Sequence, residues 1–388
     1  MKKVAVVNSH PIQYFAPLYA RIEKSACFDL TVFYLSDFSL RGAFDAGFDR
    51  PVKWDIDLLR GYSSVFVGRS YQKATPSSLK NSVIPGLFWH LVKGRFDAVV
   101  IHGYRPFYNI TAIIAAKLVG AKVLYRSDTN IVLERKRKRK IRDFCAKVVL
   151  RRCDALLAIG KNNADYYSWM GVRPGKIVLA PFAVDNDRFA RARNSRREDH
   201  DATRLKFGIS LDRPVVVFAS KLIRRKGPQI VLEAVHKLNR EGSDVELVVV
   251  GTGEMEAELR LQANTFAHLR VTFTGFVNQS ELPSLLACCD VLAFPTKDEP
   301  WGLIVNEAMA AGLPVVVGDD AGCVPDLVKD GVNGFVVRPD DVEALKVALA
   351  KIVNDPKLKN EMAEASARII ERWTFSECIS GWQRGLER

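Results

Sequence analysis

The chain has 388 residues, of which 48% are hydrophobic and 26% are charged, and its formal net charge at pH 7 is +13. A chain of this length exceeds the roughly 250 to 300 residues at which one hydrophobic core stops growing, so the sequence predicts two domains. The positive charge favours an anionic partner, whether a phosphorylated metabolite, a lipid surface or a nucleic acid, and the sign alone does not choose among them.

The chain contains seven cysteines and no CxxC pair. An odd number of unclustered cysteines is typical of free thiols in a reducing cytoplasm, so we expect neither a disulfide framework nor a zinc site. The start MKKVAVVNSHPIQYF is too poor in apolar residues for a signal peptide, and no run of about 18 apolar residues follows. We therefore expect a cytoplasmic protein whose first strand is buried.

Short β-branched runs alternate with helix-length segments along the chain. This alternation is typical of parallel sheets that are covered by helices on both faces, and it occurs twice. The sequence therefore predicts an α/β fold with two parallel sheets. The first series of strands is KKVAVVNS, DLTVFYL, FDAVVIHG, AKVLYRS and DALLAIG, and the second is PVVVFAS, VELVVVGTG, VTFTGF, CDVLAFPT and LPVVVGD.

A polar, charge-dense stretch, NDRFARARNSRREDHDATRLKFG, separates the two series. It has no apolar period, which is typical of an interdomain linker. We place an N-terminal domain at residues 1–190, the linker at 191–209 and a C-terminal domain at 210–370. The tail at 371–388 carries two tryptophans and a phenylalanine, which predicts that it packs back on the N-terminal domain.

Ligands of open parallel sheets bind beyond the carboxyl ends of the strands. This rule selects site candidates from the residues that follow the predicted strands. For the two histidines among them, a hydrogen-bonded residue at a strand end is the alternative interpretation. The candidates are His10, His102, Tyr104, Arg105, Arg126 and Asp128 in the first half, and Lys221, Gly251, Gly275 and residues 296–307 in the second.

The segment EPWGLIVNEAMAAGLPVVVGDDAG carries two acids that flank the start of a predicted helix. Glu299 precedes the helix, and Glu307 lies about five helical residues inside it at about 1.5 Å each, too far away to share one substrate atom. The helix N-terminus between them suits a phosphate group. The spacing thus predicts a ligand with hydroxyls at both ends and phosphate in the middle. The alternatives are a helix-end acid for Glu299 and a solvated or salt-bridged acid for Glu307.

Matching cations occur in SKLIRRKG. Lys221 follows a strand and Lys226 precedes a helical segment, so both are predicted to reach one crevice and act as point charges on phosphate. A solvated basic loop is the alternative. Neither GTGE at 251–254 nor the segment after the first strand completes a GxGxxG pattern, which argues against a nicotinamide or flavin enzyme.

The segments SKLIRRKG, VVVGTGE, FTGFV and EPWGLIVNEAMAAGLPVVVGDDAGCVPDLVKDGVNGFVV resemble the donor domain of the retaining glycosyltransferases of family 4, the group 1 type of bacterial surface-polysaccharide biosynthesis. The resemblance covers about residues 214–345 and includes the E-x7-E spacing of Glu299 and Glu307. It implies the GT-B fold, in which two Rossmann-like, doubly wound domains face each other across a cleft.

The resemblance also implies roles for these residues. Glu307 binds the ribose hydroxyls of a nucleotide sugar, Glu299 contacts the sugar hydroxyls, and Lys226 and Lys221 neutralise the diphosphate. The backbone at Gly302 approaches the phosphate and the sugar. The segment from Gly275 through Phe276 to Val277 flanks the base. The remaining donor-binding candidates are Leu303 and Gly253.

Three departures from the family pattern concern the site. Lys221 stands where the family often has arginine, which keeps the charge and loses the forked geometry. The loop SHPIQYF replaces a glycine-rich loop, and LYRSDT replaces a stretch that commonly holds a histidine. We therefore assign His102 and Asp128 as catalytic candidates and His10, Tyr104 and Arg126 as acceptor-side candidates.

The run ERKRKRKIRDFCAKVVLRR at 134–152 contains ten basic residues and two acidic ones. It continues into an apolar stripe of Ile141, Phe144, Val148 and Val149, and a basic amphipathic helix is typical of a membrane-surface element. A solvated arm is the alternative. Nucleic acid is not the expected partner, because no nucleic-acid-binding fold or interleaved aromatic residues accompany the run.

Together these features predict a metal-independent, retaining glycosyltransferase on the inner membrane face. It moves a sugar from a UDP- or GDP-linked donor to a saccharide or lipid-linked saccharide. Fixed cations and a helix N-terminus stabilise the charge that develops on the leaving phosphate, and no DxD-type carboxylate pair stands at a strand end. The alternatives are a nucleotide-sugar epimerase on the same fold, which needs a base and no acceptor, and a non-catalytic nucleotide-sugar-binding protein.

Overall fold

The computed structural model describes residues 1–68, 72–75, 79, 82–103, 106–136 and 140–388, with the backbone alone at residues 140 and 141. The chain divides into two compact units. The first unit comprises residues 1–43, 52–182 and 375–388, and the second comprises residues 44–51 and 183–374. Each unit is built around one parallel β-sheet.

The first unit has a seven-stranded sheet in the order β5-β2-β1-β6-β7-β8-β9. Its strands are β1 (Lys2–Asn8), β2 (Phe28–Tyr34), β5 (Ser63–Phe66), β6 (Ala98–His102), β7 (Lys122–Arg126), β8 (Ala155–Ala158) and β9 (Ile177–Leu179). Its helices are α1 (Ala16–Lys24), α2 (Pro85–Gly94), α3 (Phe107–Leu118), α4 (Ile131–Arg135), α5 (Lys140–Arg152), α6 (Lys161–Trp169) and α16 (Phe375–Glu387).

Both faces of this sheet are buried, which explains why its central strands are apolar without alternation. Val4 and Val6 of β1 join a core that is covered by α1 and α16. Ala5 and Val7 point to the other face, into a core formed with α2, α3, α5 and α6. The C-terminal helix α16 is part of this unit, and its Trp382 is fully buried.

The second unit has a six-stranded parallel sheet in the order β12-β11-β10-β13-β14-β15 and a short antiparallel pair, β3-β4. Its strands are β3 (Phe44–Asp45), β4 (Arg50–Pro51), β10 (Val215–Ala219), β11 (Glu246–Val250), β12 (Arg270–Gly275), β13 (Val291–Phe294), β14 (Val315–Gly318) and β15 (Gly334–Val337). Its helices are α7 (Asn186–Arg193), α8 (Arg197–Phe207), α9 (Pro228–Arg240), α10 (Glu256–Thr265), α11 (Leu282–Ala287), α12 (Leu303–Ala310), α13 (Val324–Leu327), α14 (Val342–Val353) and α15 (Pro356–Ile370).

The predicted α/β class is confirmed, and each of the ten predicted apolar runs contains a strand. Within each unit the sheet grows first to one side and then to the other, which is the doubly wound Rossmann-like arrangement. The strand order therefore reverses between β1 and β6 in the first unit and between β10 and β13 in the second. These two switch points are where such sheets bind ligands.

The prediction of a polar linker at 191–209 is wrong, because most of this stretch is helical. Helices α7 and α8 both belong to the second unit. The sequence shows no helical spacing of apolar residues here, because α7 buries only Phe189 and α8 buries no residue fully. Instead, Arg204 fixes α8 by donating to the backbone oxygens of Ser210 and Arg213 and by pairing with Asp290 at 3.2 Å.

The two units also differ from the predicted domain bounds. The second unit begins at residue 183 and includes the short segment 44–51. In the part of the chain that the structure describes, no helix combines the length and the apolar character that crossing a bilayer requires.

Candidate functional site

The switch point of the second unit brings together the charged residues that the sequence singled out. Strand β10 leads into Lys221 and then into a 3₁₀ turn over Arg224–Lys226, and β13 leads into the loop that carries Glu299. Because the carboxyl ends of neighbouring parallel strands meet at one edge of a sheet, these loops lie side by side. Lys297 in the second loop donates its backbone N–H to the carbonyl of Arg225 at 2.7 Å, which joins the two loops directly.

Lys226 and Glu299 form a buried ion pair at this edge. Their residues are 9% and 8% exposed, and Arg225 lies 3.3 Å from the same carboxylate oxygen of Glu299. Burial lowers the pKa of Lys226, while the charge of Glu299 opposes that shift. The Nζ atom of Lys226 also lies 5.2 Å from the ring centre of Phe294. The ammonium group is therefore held in one position by its neighbours.

The N-terminus of α12 is fixed next to this pair. Gly302 precedes the helix with a φ of +97°, and a Cβ atom there would lie 3.0 Å from the ring of Phe294, so the turn requires glycine. Trp301 is buried and donates from Nε1 to Asn306 Oδ1 at 2.9 Å, which ties the loop to the helix. Leu303 is the first residue of α12. The backbone N–H groups of this first turn are thus held at the switch point.

Glu307 lies inside α12 and is 1% exposed. Burial raises its pKa to about 8, against the opposing effects of the positive charge of Arg188 and a hydrogen bond with Gln279. Its Oε1 atom has no hydrogen-bond partner among the described residues. Buried carboxylate oxygens are almost always hydrogen-bonded, so this oxygen is an acceptor that a ligand hydroxyl would satisfy.

Arg188 and Gln279 belong to the site but were not predicted from the sequence. Arg188 of α7 donates from Nη2 to Gln279 Oε1 at 2.7 Å. Gln279 is buried and in turn hydrogen-bonds Glu307. The available signal was Phe189, the isolated aromatic residue in a polar stretch, which is fully buried and anchors α7.

The glycines after β11 and β12 have different surroundings. A Cβ atom at Gly253 would lie 2.7 Å from the backbone oxygen of Leu222, so close packing of two loops explains this residue. Gly275 has a φ of +70° and open space around its Cα atom. The following residues are Phe276 and the buried Val277. The predicted base-flanking segment therefore lies at the carboxyl end of β12. In the sheet, β11 separates this strand from β10.

Lys221 is not paired with Glu299 in this structure. Its Nζ atom lies 2.8 Å from Asp45 Oδ1 and 4.5 Å from the ring centre of Phe48. Burial raises the pKa of Asp45. The opposing effects are larger, because Lys221 contributes a hydrogen bond and a positive charge and the backbone N–H groups of Gly47 and Phe48 also donate to the carboxylate. The net shift of the pKa is therefore downward. An anion from the chain itself therefore neutralises this lysine.

The switch point of the first unit carries two histidines, as predicted. His10 Nδ1 is hydrogen-bonded with Ser9 Oγ at 2.8 Å. His102 packs on Phe15 with ring centres 4.7 Å apart, and its Nε2 atom lies 3.4 Å from the hydroxyl of Tyr19. Burial and the charge of Arg126 lower the pKa of His102 to about 3, so the ring is neutral at physiological pH.

Arg126 and Asp128 are the other candidates of the first unit that the structure describes, and Arg126 lies beside His102 on the neighbouring strand β7. Arg126 is 1% exposed and donates to the backbone oxygens of Ala180 at 2.9 Å and Pro181 at 3.3 Å. These bonds fix the segment after β9, and the acceptor-side assignment of Arg126 stays a prediction. Asp128 is exposed in the loop after β7. Tyr104 and Arg105 lie outside the described residues.

Two family models match the chain. The model "Glycosyl transferases group 1" matches residues 199–368, and "Glycosyl transferase 4-like domain" matches residues 49–183. The first model spans all six strands of the parallel sheet of the second unit, and the second spans β5 to β9 of the first unit's sheet but not β1 and β2. The chain therefore carries a group 1 glycosyl transferase domain and a 4-like glycosyl transferase domain, and it has the GT-B fold of two Rossmann-like domains.

Curated relatives match part of the chain. A GDP-mannose-dependent alpha-(1-6)-phosphatidylinositol monomannoside mannosyltransferase of Mycolicibacterium smegmatis is 34% identical over 50% of this chain and 52% of its own length. An alpha-D-kanosaminyltransferase of Streptomyces kanamyceticus is 28% identical over 58% of each chain. The chain thus spans little more than half the length of these relatives.

Solved structures match over the whole length. Anabaena HepE, in complex with UDP and glucose, superposes with a TM-score of 0.75 at 17% identity and covers 100% of both chains. WaaG, a glycosyltransferase involved in lipopolysaccharide biosynthesis, has a TM-score of 0.68 at 16% identity and covers 99% of this chain and 98% of its own. At these identities the likeness establishes the fold.

Proposed function

We propose that this protein is a retaining glycosyltransferase that moves a sugar from a nucleoside diphosphate donor to a saccharide or lipid-linked saccharide acceptor. The observation that carries the proposal is the arrangement around α12. A buried carboxyl group with an unsatisfied oxygen, that of Glu307, lies inside this helix, and a fixed cation, Lys226, lies at its N-terminal side with Glu299. This order of groups matches the ribose, the diphosphate and the sugar of such a donor.

The reaction follows from the positions of the charges. The bond between the anomeric carbon and the β-phosphate oxygen breaks, and negative charge grows on the departing nucleoside diphosphate. Lys226, Lys221 and the first N–H groups of α12 stabilise that charge more than they stabilise the ground state. Glu299 accepts hydrogen bonds from the sugar hydroxyls, which orients the anomeric carbon toward the acceptor.

The direct test is an assay with a panel of UDP- and GDP-linked sugars. A thermal-shift screen first selects the nucleotide, since a ligand at 100 times its dissociation constant stabilises a protein by about 2.7 kcal/mol. The selected donor is then incubated with saccharide acceptors, and the product is analysed by mass spectrometry and NMR. A product that keeps the donor's anomeric configuration is expected. An inverted product contradicts the retaining mechanism.

The same assay separates the two alternative functions. An epimerase converts the donor sugar without any acceptor, whereas a transferase releases nucleoside diphosphate and forms a new glycosidic bond. A non-catalytic binding protein shows the thermal shift and no conversion. UDP and GDP are both included because HepE was crystallised with UDP and a mannosyltransferase relative depends on GDP-mannose.

Metal independence is part of the proposal. Lys226 and the N-terminus of α12 supply positive charge where a bound divalent cation would otherwise act. Transfer is therefore expected to survive treatment with EDTA. A loss of activity that added magnesium or manganese restores would contradict this part of the proposal.

The proposal also includes contact with an anionic membrane surface through α5. Phe144 and Val148 of this helix are 68% and 37% exposed, and Arg151 and Arg152 at its C-terminal end are exposed as well. An apolar stripe beside basic residues suits the headgroup region of an anionic bilayer, where each basic residue contributes about 1 kcal/mol. Such contact places the enzyme at the inner face, where lipid-linked acceptors are available.

Vesicle sedimentation tests the membrane contact. With vesicles of equal parts phosphatidylglycerol and phosphatidylcholine, replacing both Arg151 and Arg152 by glutamine is expected to weaken binding at least tenfold, because about 2 kcal/mol is lost. The control replaces Arg197 and Arg368, two exposed arginines of the second unit, and removes the same charge. Equal sedimentation of the wild-type protein with and without phosphatidylglycerol contradicts the membrane contact.

A further inference from the structure

A short hairpin in the second unit is separated in sequence from the rest of that unit. Residues 44–51, here called the 44–51 hairpin, pair through β3 and β4, while the chain on either side belongs to the first unit. Its two strands have only two residues each, and Phe44 is 55% exposed. Pairing within the hairpin is therefore too slight to fix it, and its position depends on what it contacts.

The hairpin lies directly on Lys221. The carboxylate of Asp45 is 2.8 Å from the ammonium group, and the ring of Phe48 covers the same group at 4.5 Å. Gly47 permits this approach, since a Cβ atom there would be 2.5 Å from Nζ and 2.7 Å from Cδ of Lys221. Three features of the hairpin thus converge on one cation: a charge, an aromatic face and a missing side chain.

The other contacts of the hairpin fall on the next two loops of the same sheet edge. Thr252, after β11, donates from Oγ1 to the backbone oxygen of Phe48 at 2.7 Å. Phe276, after β12, packs edge-on against Phe48 at 5.1 Å, and the guanidinium of Arg50 lies 5.4 Å from the ring centre of Phe276. The hairpin therefore covers the loops after β10, β11 and β12, which are the loops assigned to the donor's diphosphate and base.

We propose that the 44–51 hairpin is a built-in competitor of the donor, in which Asp45 occupies Lys221 in place of the donor's diphosphate. The inference rests on the proposed function, because it takes Lys221 as a phosphate-binding residue. A diphosphate brings its own negative charges to Lys221, and Asp45 repels them as long as it stays there. Binding of a nucleoside diphosphate thus requires the hairpin to leave Lys221.

The size of the effect follows from the exposure of the pair. The side chains of Lys221 and Asp45 are 33% and 29% exposed, so water and salt screen their attraction. An ion pair of this kind shifts an equilibrium by about threefold to fivefold. The apparent dissociation constant of the nucleotide is the intrinsic constant divided by the fraction of molecules with the hairpin released. Weakening the hairpin contact therefore tightens nucleotide binding by the same factor.

Isothermal titration with UDP and with GDP tests this competition. Asp45→Asn removes the charge and keeps the shape, and Gly47→Ala keeps the charge while the added methyl group collides with Lys221. Both variants are expected to bind the preferred nucleotide about threefold to fivefold more tightly than the wild type at low salt. Asp49→Asn is the matched control, because Asp49 is an exposed acid of the same hairpin.

A double-mutant cycle locates the effect. In a Lys221→Ala background, Asp45→Asn is expected to leave the dissociation constant unchanged, because the contested cation is gone. If Asp45→Asn and Gly47→Ala bind the nucleotide with wild-type affinity or more weakly, the competitor role is wrong while the proposed function stands. If the wild type and all variants bind neither UDP nor GDP, the proposed function fails and the competitor role fails with it.

Discussion

The two sheets of this protein have the same topology and opposite chemistry at their switch points. In the second unit, the loops after β10 and β13 carry a buried lysine and a buried glutamate that pairs with it, and the following helix α12 carries a second glutamate with an unsatisfied oxygen. In the first unit, His10 follows β1 and His102 ends β6, and His102 packs on the ring of Phe15. The topology fixes where a ligand binds in each unit, and the side chains decide which ligand it is.

The difference extends to protonation. In the second unit, charged groups are held at the site by partners, as Glu299 holds Lys226. In the first unit, His102 is kept neutral by burial and by Arg126. A site of fixed charges suits a nucleoside diphosphate, whereas a neutral site with hydrogen-bonding groups suits the hydroxyls of a saccharide. Four substitutions test this contrast.

The largest effect is expected at Lys226. In the proposed function Lys226 is a preorganised charge aimed at the leaving phosphate, so its replacement with alanine should lower turnover by about 10² to 10³. Steady-state kinetics with the selected donor and acceptor measure this loss. Arg224→Ala is the matched control, because Arg224 belongs to the same 3₁₀ turn and its side chain is 71% exposed.

Loss of Lys226 also leaves Glu299 buried without its main partner, which destabilises a fold by about 3 to 5 kcal/mol. Lys226→Gln, which keeps a hydrogen-bond donor for Glu299, separates the two effects. If Lys226→Gln melts like the wild type and also turns over like it, the charge of Lys226 has no catalytic role. In that case the contrast between the two switch points loses its main support.

The second effect is expected at Glu299. Glu299→Gln should lower turnover by at least about tenfold, because the neutral amide makes weaker hydrogen bonds to the sugar hydroxyls in the transition state. Its affinity for bare UDP or GDP should stay within about threefold of the wild type, since these ligands have no sugar for Glu299 to contact. Kinetics and calorimetry measure the two quantities separately.

Glu258→Gln serves as the control for Glu299, because Glu258 is an exposed acid that pairs with Arg224. An equal loss of affinity for the bare nucleotide and for the nucleotide sugar would place Glu299 at the diphosphate or the ribose. The order of groups along the donor would then have to be reversed.

These residues show how much of the site was predictable. Lys221 follows β10 and Lys226 precedes α9, while Glu299 and Glu307 lie before and inside α12. A local pattern and the rule on strand ends therefore predicted which elements carry them, and their roles stay predictions. The fold was predictable for the same reason, because buried parallel strands are continuous apolar runs. The strands β5, β9 and β15 were not among the predicted runs.

The remaining parts depend on contacts between distant segments, which leave no local pattern. Asp45 meets Lys221 across 176 positions of the sequence. Arg188 lies in a helix that has almost no apolar face, so its place beside Gln279 could not be read from periodicity. The burial of Arg126 depends on the backbone oxygens of Ala180 and Pro181, which sequence alone does not bring near.

The third effect is expected at Glu307 and depends on pH. Its pKa in the folded protein is raised to about 8, so the carboxyl group is mostly protonated at neutral pH and ionised above that value. In the proposed function the ionised form accepts hydrogen bonds from both ribose hydroxyls, so wild-type affinity for the nucleotide should rise about tenfold between about pH 7 and about pH 9. Glu307→Gln has no such group, and its affinity should lack this rise.

The stability of the ligand-free protein gives a second test of the raised pKa of Glu307, because the pKa also predicts how stability changes with pH. The folded state holds the proton of Glu307 more tightly than the unfolded state, whose ordinary pKa is 4.5. The wild type should therefore lose stability relative to Glu307→Gln as the pH rises from 4.5 to about 8, and the difference should then level off. Melting curves across this range measure it, with Glu364→Gln as an exposed control. A constant difference would contradict the raised pKa.

The smallest effect is expected at His102 in the first unit. Its pKa is lowered to about 3, so the ring carries no charge that could change between about pH 5 and about pH 8. His102→Gln should lower turnover by less than about tenfold, because it exchanges one neutral hydrogen-bonding group for another. The shape of the pH profile should stay that of the wild type, in contrast to Glu307→Gln. The Michaelis constant for the acceptor should rise, while the dissociation constant of the nucleotide stays unchanged.

His90→Gln is the control for this test, because His90 is an exposed histidine of α2 in the same unit. If His102→Gln removes an ionisation from the pH profile, His102 exchanges a proton during catalysis and the first unit holds an acid or base rather than a neutral acceptor site. If the variant weakens binding of the bare nucleotide instead, the donor contacts both switch points. Either result would break the division between a charged donor site and a neutral acceptor site, and an unchanged profile with a raised Michaelis constant for the acceptor would sharpen it.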